Sequence, residues 1–302
     1  MKTLIALGGN AIQRKGEEGS VENQWRNVRK AVSIISEAIK NDSLVVTHGN
    51  GPQVGYITAA LHEANLGNII TLDIADAMTQ GWIGYMLQHC FHSLNKNAIT
   101  IPTRVVVLKN DPAFLRPTKF VGKYYSKEEA EVLSKTFGWI FKQDPRGGYR
   151  RVVPSPMPID ILEIDVIKKL LEEKYIVIAV GGGGIPVIKE NGKYSPVEAV
   201  IDKDLASSLL ARKINADRFI ILTDVNGVAL NYGKENEEWI EKIRVKELRE
   251  LYDKKMFPEG SMGPKVLSAI KFVESTGKYA VIGNLDDAVN VIEGNSGTMV
   301  IP

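Results

Sequence analysis

Glycine-rich turns follow apolar, strand-like segments at three places in this chain. They are residues 8–10 after "KTLIAL", residues 49–51 after "SLVVT" and a histidine, and residues 181–184 after "YIVIAV". Glycine permits backbone dihedrals closed to other residues and lets a ligand approach bare N–H groups. Because the carboxyl ends of parallel strands share one edge of an open α/β sheet, we expect the turns to lie together. A surface of free N–H groups backed by helix N-termini suits a dense anion such as a polyphosphate.

Helical periodicity separates the strand-like segments. Apolar residues recur at spacings of three and four over residues 25–39, which predicts a helix. Further helices are predicted over 53–66, over 74–95 and after "GSMGPK", and further strands at "AITIPTRVVVL", "RFIILT", "YAVIG" and "GTMVI". Strands that alternate with helices predict a mainly parallel central sheet covered by helices on both faces.

The segment 109–158 breaks this alternation. It is rich in proline and carries aromatic residues, as in "NDPAF", "LRPTKF", "QDPRGGYRR" and "VPSPMP". It is too polar and too rich in turns for the central sheet, and too aromatic for a disordered linker. We predict a small inserted subdomain that acts as a lid over a ligand. A structural excursion without a role in binding is the alternative.

Composition excludes several classes of function. The net charge of +2 comes without a long cluster of lysine and arginine, which argues against a nucleic-acid partner. No apolar run approaches the ~20 residues of a membrane-spanning helix. The single cysteine, Cys90, excludes an intrachain disulfide and suits a reducing compartment. We therefore expect a cytoplasmic protein whose partners include neither a membrane nor a nucleic acid.

Two familiar nucleotide-binding signatures do not fit the sequence. None of the Gly-Lys pairs has the flanking residues of a Walker A loop. "GNGPQVG" spaces its glycines differently from the dinucleotide-binding fingerprint, although Asp73 lies at a tolerable distance for a ribose contact. An NAD(P)-dependent Rossmann oxidoreductase therefore stays open as one alternative. A non-catalytic sensor of small anions is another, since it would use the same turns without converging lysines.

Three lysines stand out by their local sequence. Lys203 lies between two aspartates in "AVIDKDLASSLLA", at the predicted start of a helix, and Lys265 follows two glycines in "GSMGPK". Lys119 lies in "PTKF", inside the inserted segment. Each alone is typical of a solvated surface lysine. Together with anion-binding turns they indicate phosphoryl transfer, in which catalysis mainly positions groups and neutralises charge, with Asp204 orienting the ammonium groups.

Several longer segments occur in the order found in one enzyme family. They are "THGNGPQVG", "AMTQGWIGYM", "KNDPAF", "PTKFVG", "RRVVPSP", "GGGGIPV", "VIDKDLA", "LTDVNG" and "GSMGPKV". By these segments the chain resembles the carbamate kinases of the amino acid kinase superfamily, from "IALGGNA" to "GTMVIP". The resemblance implies a homodimer of three-layer αβα sandwiches that transfers a phosphoryl group reversibly between ATP and carbamate, with Mg²⁺, giving ADP and carbamoyl phosphate. A related kinase of another small carboxylate is the alternative within the superfamily.

The resemblance also implies roles for parts of the chain and for individual residues. Residues 1–108 and 159–180 would bind carbamate and phosphate, residues 109–158 would form the lid, and residues 181–302 would bind the nucleotide. The carbamate and phosphate group comprises Gly8, Gly9, Asn10, Gly49, Asn50 and Gly51. The nucleotide group comprises Gly182, Gly183, Thr223, Asp224, Met262 and Gly263. The catalytic group comprises Lys119, Lys203 and Lys265, with Asp204 holding the last two; Mg²⁺ would be held mainly by phosphates.

One departure concerns the position just before the first glycine turn. Kinases of this superfamily that act on larger carboxylates usually carry a lysine there, and this chain has Ala6. In the carbamate kinases the lysine of the inserted lid, here Lys119, replaces that charge. The family's "PTKPVGPFY" reads "PTKFVGKYY" in this chain, so Phe120 and Lys123 in place of prolines predict a less stiff lid loop. His48, before the second turn, is expected to have a structural role at the strand end.

Overall fold

The computed structural model describes most of the chain, namely residues 1–14, 16–39, 42–64, 66, 70–144, 147–258 and 260–302. The strands are Lys2–Leu7 (β1), Ser43–His48 (β2), Ala98–Thr100 (β3), Arg104–Val107 (β4), Lys119–Tyr125 (β5), Ile140–Gln143 (β6), Tyr149–Val153 (β7), Pro158–Ile161 (β8), Ile176–Ile178 (β9), Ile185–Glu190 (β10), Lys193–Pro196 (β11), Arg218–Thr223 (β12), Val228–Leu230 (β13), Glu238–Ile240 (β14), Lys242–Arg244 (β15), Tyr279–Asn284 (β16) and Thr298–Ile301 (β17). The helices are Val21–Ala38 (α1), Gly51–Glu63 (α2), Leu72–His92 (α3), Lys127–Phe137 (α4), Ile164–Glu172 (α5), Lys203–Lys213 (α6), Val245–Asp253 (α7), Met262–Thr276 (α8) and Ala288–Glu293 (α9).

The central sheet confirms the predicted mixed α/β architecture. Its strand order is β15-β17-β16-β12-β1-β2-β9-β3 among the described residues. All neighbouring pairs in this order are parallel except β16 and β17, which are antiparallel. Leu4 stands at the centre of the register, opposite Val45 on one side and Phe219 on the other.

Side chains of the central strands alternate between two buried faces, which gives the three layers. On one face Leu4 and Phe219 belong to an apolar cluster that includes residues of α5, α6, α7 and α8. On the other face Ile5 and Ile220 belong to a cluster with residues of α1, α3 and α9. Helices therefore cover both faces of the sheet, as expected when parallel strands are joined by crossover helices. Among the described residues, none of the helices combines the length and the apolarity that crossing a bilayer requires.

The segment "AITIPTRVVVL" does not form the single strand predicted from it. It divides into β3, at the edge of the central sheet, and β4, which belongs to a second sheet of order β11-β10-β4-β8. The division falls at Pro102, which lacks an N–H group for the strand ladder. The next donor, the N–H of Thr103, bonds to Gln80 Oε1 at 2.7 Å instead of to a strand. The chain therefore changes its pairing partner from β9 to β10.

Two predicted helices differ from the observed ones at their ends. The helix predicted over 53–66 is α2, which begins at Gly51 and ends at Glu63, and residue 65 lies outside the described residues. The helix predicted over 74–95 is α3, and it begins two residues earlier, after Thr71.

The predicted insertion contains a separate antiparallel sheet of order β5-β7-β6. Helix α4 begins with a capping box, in which Ser126 and Glu129 bond reciprocally, and it packs on the sheet through a small cluster that includes Tyr125 and Leu133. Residues 145–146 lie outside the described residues. Pro158 already pairs with Val107 of the second sheet. The domain boundaries at 108 and 158 stay a prediction.

Candidate active site

The structure brings the three glycine turns to one edge of the central sheet. The N–H of Gly8 donates to the carbonyl of Leu222 at 2.9 Å, and the N–H of Gly49 donates to the carbonyl of Leu7 at 3.1 Å. A Cβ built on Gly49 would lie 3.1 Å from the nitrogen of Gly9, so the first two turns touch. In contrast, a Cβ on Gly9 or Gly51 would have no neighbour within 4 Å, which leaves open space beside both backbones.

The third turn lies against the second one and contacts polar side chains of β2, the second turn and α3. A Cβ on Gly181 would collide with the ring of His48, and a Cβ on Gly182 would collide with the amide of Asn50. Gln80 Nε2 donates to the carbonyl of Gly181 at 2.9 Å. Gly182 has φ +68, a left-handed conformation that glycine adopts readily. Glycine is therefore required at position 182 both by the dihedral angle and by the close approach of Asn50 and Asp76.

His48 is a buried histidine without a charge at neutral pH. Burial, with a smaller contribution from Lys203, lowers its pKa to about 4, although a hydrogen bond with the carbonyl of Gly49 opposes the shift. The Nδ1 atom lies 3.1 Å from that carbonyl oxygen. This geometry fits the structural role at the strand end that the sequence predicts, because the ring fills the space between the second and third turns.

A buried carboxylate joins two of the three lysines. Asp204, in the first turn of α6, forms ion pairs with Lys203 through Oδ1 and with Lys265 through Oδ2, the latter at 3.0 Å. The side chains of the two lysines are 13% and 16% exposed, and that of Asp204 is 3% exposed. Burial alone would raise the pKa of Asp204, but the two ammonium groups outweigh burial and hold it below its ordinary value.

The two lysines have different surroundings. Burial lowers the pKa of Lys203, and the neighbouring Lys265 adds to that effect, although Asp204 opposes it. For Lys265 burial acts in the same direction, but Asp204 together with Asp202 and Asp224 outweighs it, and the pKa is raised. Lys265 therefore stays charged, and Lys203 is the more readily perturbed ammonium group of the pair.

The third lysine, Lys119, reaches the same cluster from the inserted sheet. Its Nζ donates to Asp202 Oδ2 at 2.9 Å, and its side chain is 35% exposed. Asp202 is also the N-cap of α6, since its Oδ1 accepts from the N–H groups of Asp204 at 2.9 Å and Leu205 at 3.3 Å. Three ammonium groups and two carboxylates thus form one cluster with an excess of positive charge, which suits an anionic ligand.

A cavity of about 250 Å³ adjoins this cluster, and Lys265 is one of its lining residues. Predicted nucleotide residues Thr223, Asp224 and Met262 also line it. Further residues that sequence reasoning missed are Val225, Ala229, Tyr232, Met256, Phe257, Pro258 and Ser261. Their mixture of aromatic, apolar and small polar side chains is typical of a cofactor or small-molecule pocket.

Three predicted nucleotide residues lie elsewhere. Gly182 and Gly183 do not line the cavity and lie instead beside Asn50 and Ile201. Gly263 is buried at the start of α8, where a Cβ would come within 2.9 Å of the carbonyl of Pro258. The third turn thus lies against the second one, Gly263 lies against the cavity-lining Pro258, and the nucleotide role of these three glycines stays a prediction.

A protein-family model and several known enzymes match most or all of the chain. A model of the amino acid kinase family matches residues 1–284. The chain belongs to the amino acid kinase family. It is 50% identical to a carbamate kinase of Pyrococcus furiosus, with 100% of this chain and 99% of that one covered. It is 47% identical to a carbamate kinase of Haemophilus influenzae, with 99% and 96% covered.

A solved structure of a family member is similar over the same extent. It is a carbamate kinase from Giardia lamblia bound to AMP-PNP, 42% identical, with a TM-score of 0.91 and coverage of 99% of this chain and 98% of that one. The family assignment confirms the expected phosphotransferase. These relatives are kinases by name, so they lend no support to the alternatives of an oxidoreductase or a non-catalytic anion sensor.

Proposed function

We propose that this protein is a carbamate kinase that transfers a phosphoryl group reversibly between ATP and carbamate. The observation that carries the proposal is the buried cluster of Lys203, Asp204 and Lys265 between the glycine turns and the cavity. Helix α6 is tied to the turn-bearing strand β2 by a 2.6 Å hydrogen bond between Ser207 and Thr47. Two buried ammonium groups would therefore lie beside both of the proposed subsites.

The lysines would neutralise charge on the transferring phosphoryl group. Phosphoryl transfer has little covalent chemistry for a protein to perform, so positioning and electrostatic stabilisation supply most of the catalysis. Asp204 would hold Lys203 and Lys265 in place before the substrates arrive. The attacking oxygen of carbamate is already anionic, so the reaction needs no general base. We therefore do not assign that role to the neutral His48.

The two substrates would occupy the two sides of the cluster. ATP or ADP would bind in the 250 Å³ cavity, with Thr223 and Asp224 beside it. The AMP-PNP named for the Giardia relative supports a nucleotide site in this fold. Carbamate and the transferred phosphate would lie at the first two glycine turns, where the open space beside Gly9 and Gly51 and the N-terminus of α2 favour an anion.

Mg²⁺ would be held mainly by the phosphates of the nucleotide. Within the described part of the chain, no group of three or more His, Cys, Asp or Glu side chains is arranged as a metal site. Mg²⁺ commonly binds through substrate phosphates and water with only one or two protein carboxylates. Asp224 is the cavity-lining carboxylate that could contribute. When bound, Mg²⁺ would offset part of the charge on the phosphate oxygens.

Lys119 would supply the charge that the first strand lacks. Ala6 is fully buried in β1, so the position before the first turn contributes no ammonium group. Lys119 instead comes from β5 of the insertion and rests on Asp202. We propose that the insertion is a lid whose closure brings Lys119 to the transferring phosphate and excludes water from the site.

A homodimer would form through α3. Ile74, Met78 and Tyr85 on this helix are 45%, 45% and 59% exposed, and their spacing places them on one face. Exposed apolar side chains in such a row are typical of a protein interface.

We also propose a cytoplasmic location, in keeping with Cys90 as a buried free thiol.

The decisive experiment follows ATP formation from ADP and carbamoyl phosphate with Mg²⁺ in a coupled assay. We expect turnover by the purified protein. Lys203→Ala and Lys265→Ala should lower kcat on the order of 10²-fold or more, as for lost oxyanion donors. Anion binding without turnover would favour a sensor. Unchanged rates in both variants would remove the lysine cluster from the mechanism.

A further inference from the structure

Asn50 lies between the two glycines of the second turn, and it is only 5% exposed. Its amide nitrogen donates to two groups of helix α3. One acceptor is Asp76 Oδ1, and the other is Thr79 Oγ1 at 2.8 Å. A side-chain amide has two N–H bonds, so both are used within the protein.

Thr79 determines which way this amide points. Its hydroxyl donates its single hydrogen to the backbone carbonyl of Asp76 at 2.7 Å. A hydroxyl whose hydrogen is used can only accept a further bond, so the part of Asn50 that faces Thr79 must be the NH₂ group. This argument does not depend on the protonation state of Asp76, since a neutral carboxyl group still has an oxygen that accepts.

The carbonyl oxygen of Asn50 is thereby left for a ligand. Among the described residues, the buried side-chain atoms without a hydrogen-bond partner are Ser36 Oγ, Gln53 Oε1, Asp76 Oδ2 and Thr100 Oγ1. The described hydrogen bonds of the Asn50 side chain involve only its nitrogen, so Asn50 Oδ1 has no partner among them. It is nevertheless absent from this set of buried atoms, which means that it is not fully buried. The oxygen is therefore accessible at the turn. The opposite side of the amide is closed, because a Cβ on Gly182 would collide with Asn50 and Asp76.

We propose that Asn50 Oδ1 accepts a hydrogen bond from the NH₂ group of carbamate and carbamoyl phosphate, and that Asp76 and Thr79 are positioning residues that set this acceptor. The inference rests on the function proposed above and adds to it a basis for substrate selection. Acetate and acetyl phosphate carry a methyl group in place of NH₂, so they leave the acceptor unpaired. A site built to pair with a substrate N–H rejects analogues that lack it, because the bound analogue covers the polar group of the site without pairing with it.

The test compares carbamoyl phosphate with acetyl phosphate as phosphoryl donors to ADP, using the full chain. We expect Asp76→Leu and Thr79→Val to lower the ratio of the two kcat/KM values about 10-fold or more, since one hydrogen bond of this kind is worth about that factor. The KM for ADP should stay unchanged, because the cavity is lined by other residues. Asp76→Asn keeps an acceptor oxygen and should restore the ratio to within about 3-fold of the wild type.

Asp73→Asn is the matched control, since it changes a neighbouring carboxylate of α3 that has no bond to Asn50 among the described contacts. An unchanged ratio in both Asp76→Leu and Thr79→Val would overturn the inference, and so would an equal loss with both acyl phosphates, which is the mark of a purely structural role. A wild-type protein that forms no ATP from carbamoyl phosphate would overturn the proposed function and this inference together. An active wild type with an unchanged ratio in the variants would overturn the inference alone.

Discussion

Replacing Asp204 by asparagine tests whether one carboxylate organises the lysine cluster. Asparagine has nearly the same volume, so Asp204→Asn removes a charge without leaving a cavity. The variant would leave Lys203 and Lys265, each less than a fifth exposed, without their shared counter-ion. Removing one partner of a buried ion pair costs about 3–5 kcal/mol, because the remaining charge is no longer compensated. At roughly 2 °C per kcal/mol for a chain of this size, Tm should fall by about 6–10 °C.

Thermal denaturation in buffer without phosphate measures this loss. Glu274→Gln is the control, because the pair of Glu274 with Arg249 is at the surface and is worth about 0–1 kcal/mol. Adding Lys265→Met to Asp204→Asn should restore part of the stability, since it removes one unpaired charge. Inorganic phosphate should also stabilise the variant more than the wild type, because an anion can replace the lost carboxylate. A Tm loss no larger than that of Glu274→Gln, with no recovery in the double variant, would refute the reasoning.

The remaining predictions concern the lid, the cavity and one buried acid. Lys119→Ala should lose mainly kcat with ADP affinity nearly intact, because Lys119 does not line the nucleotide cavity. Lys123→Ala, which breaks an exposed pair between the insertion and Glu63 of α2, should keep full activity, and equal rates for the two variants in steady-state assays would reject the lid model. Asp224→Ala should weaken ADP more than carbamoyl phosphate in calorimetric titrations, and equal weakening would contradict two separate subsites. Burial raises the pKa of Asp76 to about 8. Between about pH 4 and pH 8 the carboxyl group is therefore protonated in the folded protein but ionised in the unfolded chain. As pH rises through this range, the group lowers the free energy of unfolding. Asp76→Asn should therefore gain stability over the wild type by up to ~1.4 kcal/mol per pH unit across that range in urea denaturation, and a pH-independent difference would show that the acid is ionised throughout.

Local patterns were enough to predict the sheet edge and part of the lysine cluster. Periodicity and strand-ending glycines predict where the turns meet, since all three depend on short segments and on the geometry of parallel strands. Lys203 and Asp204 are adjacent in sequence. The start of their helix can be predicted from Asp202, because aspartate is a favoured N-cap residue. The position of Asp202 directly before a helical segment was thus a signal from which its role as the N-cap could have been predicted.

Other features depend on contacts that no local pattern records. The pair of Lys119 and Asp202 joins residues 83 positions apart. The cavity wall at Tyr232 and Phe257 comes from segments between regular elements, where no periodicity indicates which side chains face a ligand. The division of "AITIPTRVVVL" into β3 and β4 depends on Gln80, a residue of another element that takes the N–H of Thr103.

The contact between Lys119 and Asp202 gives the ammonium group an anionic partner before the proposed substrate binds. An ammonium group has three N–H donors and Asp202 accepts one of them, so the proposed contact with a phosphate oxygen would form beside this ion pair or replace it. If the phosphate replaces it, the Asp202 carboxylate keeps hydrogen-bond partners. Its other oxygen accepts from backbone N–H groups at the start of α6, where the helix dipole favours negative charge. In the proposed mechanism, exchange of Asp202 for a phosphate oxygen would therefore need little net energy, and Lys119 would pass to the substrate without leaving an unpaired charge.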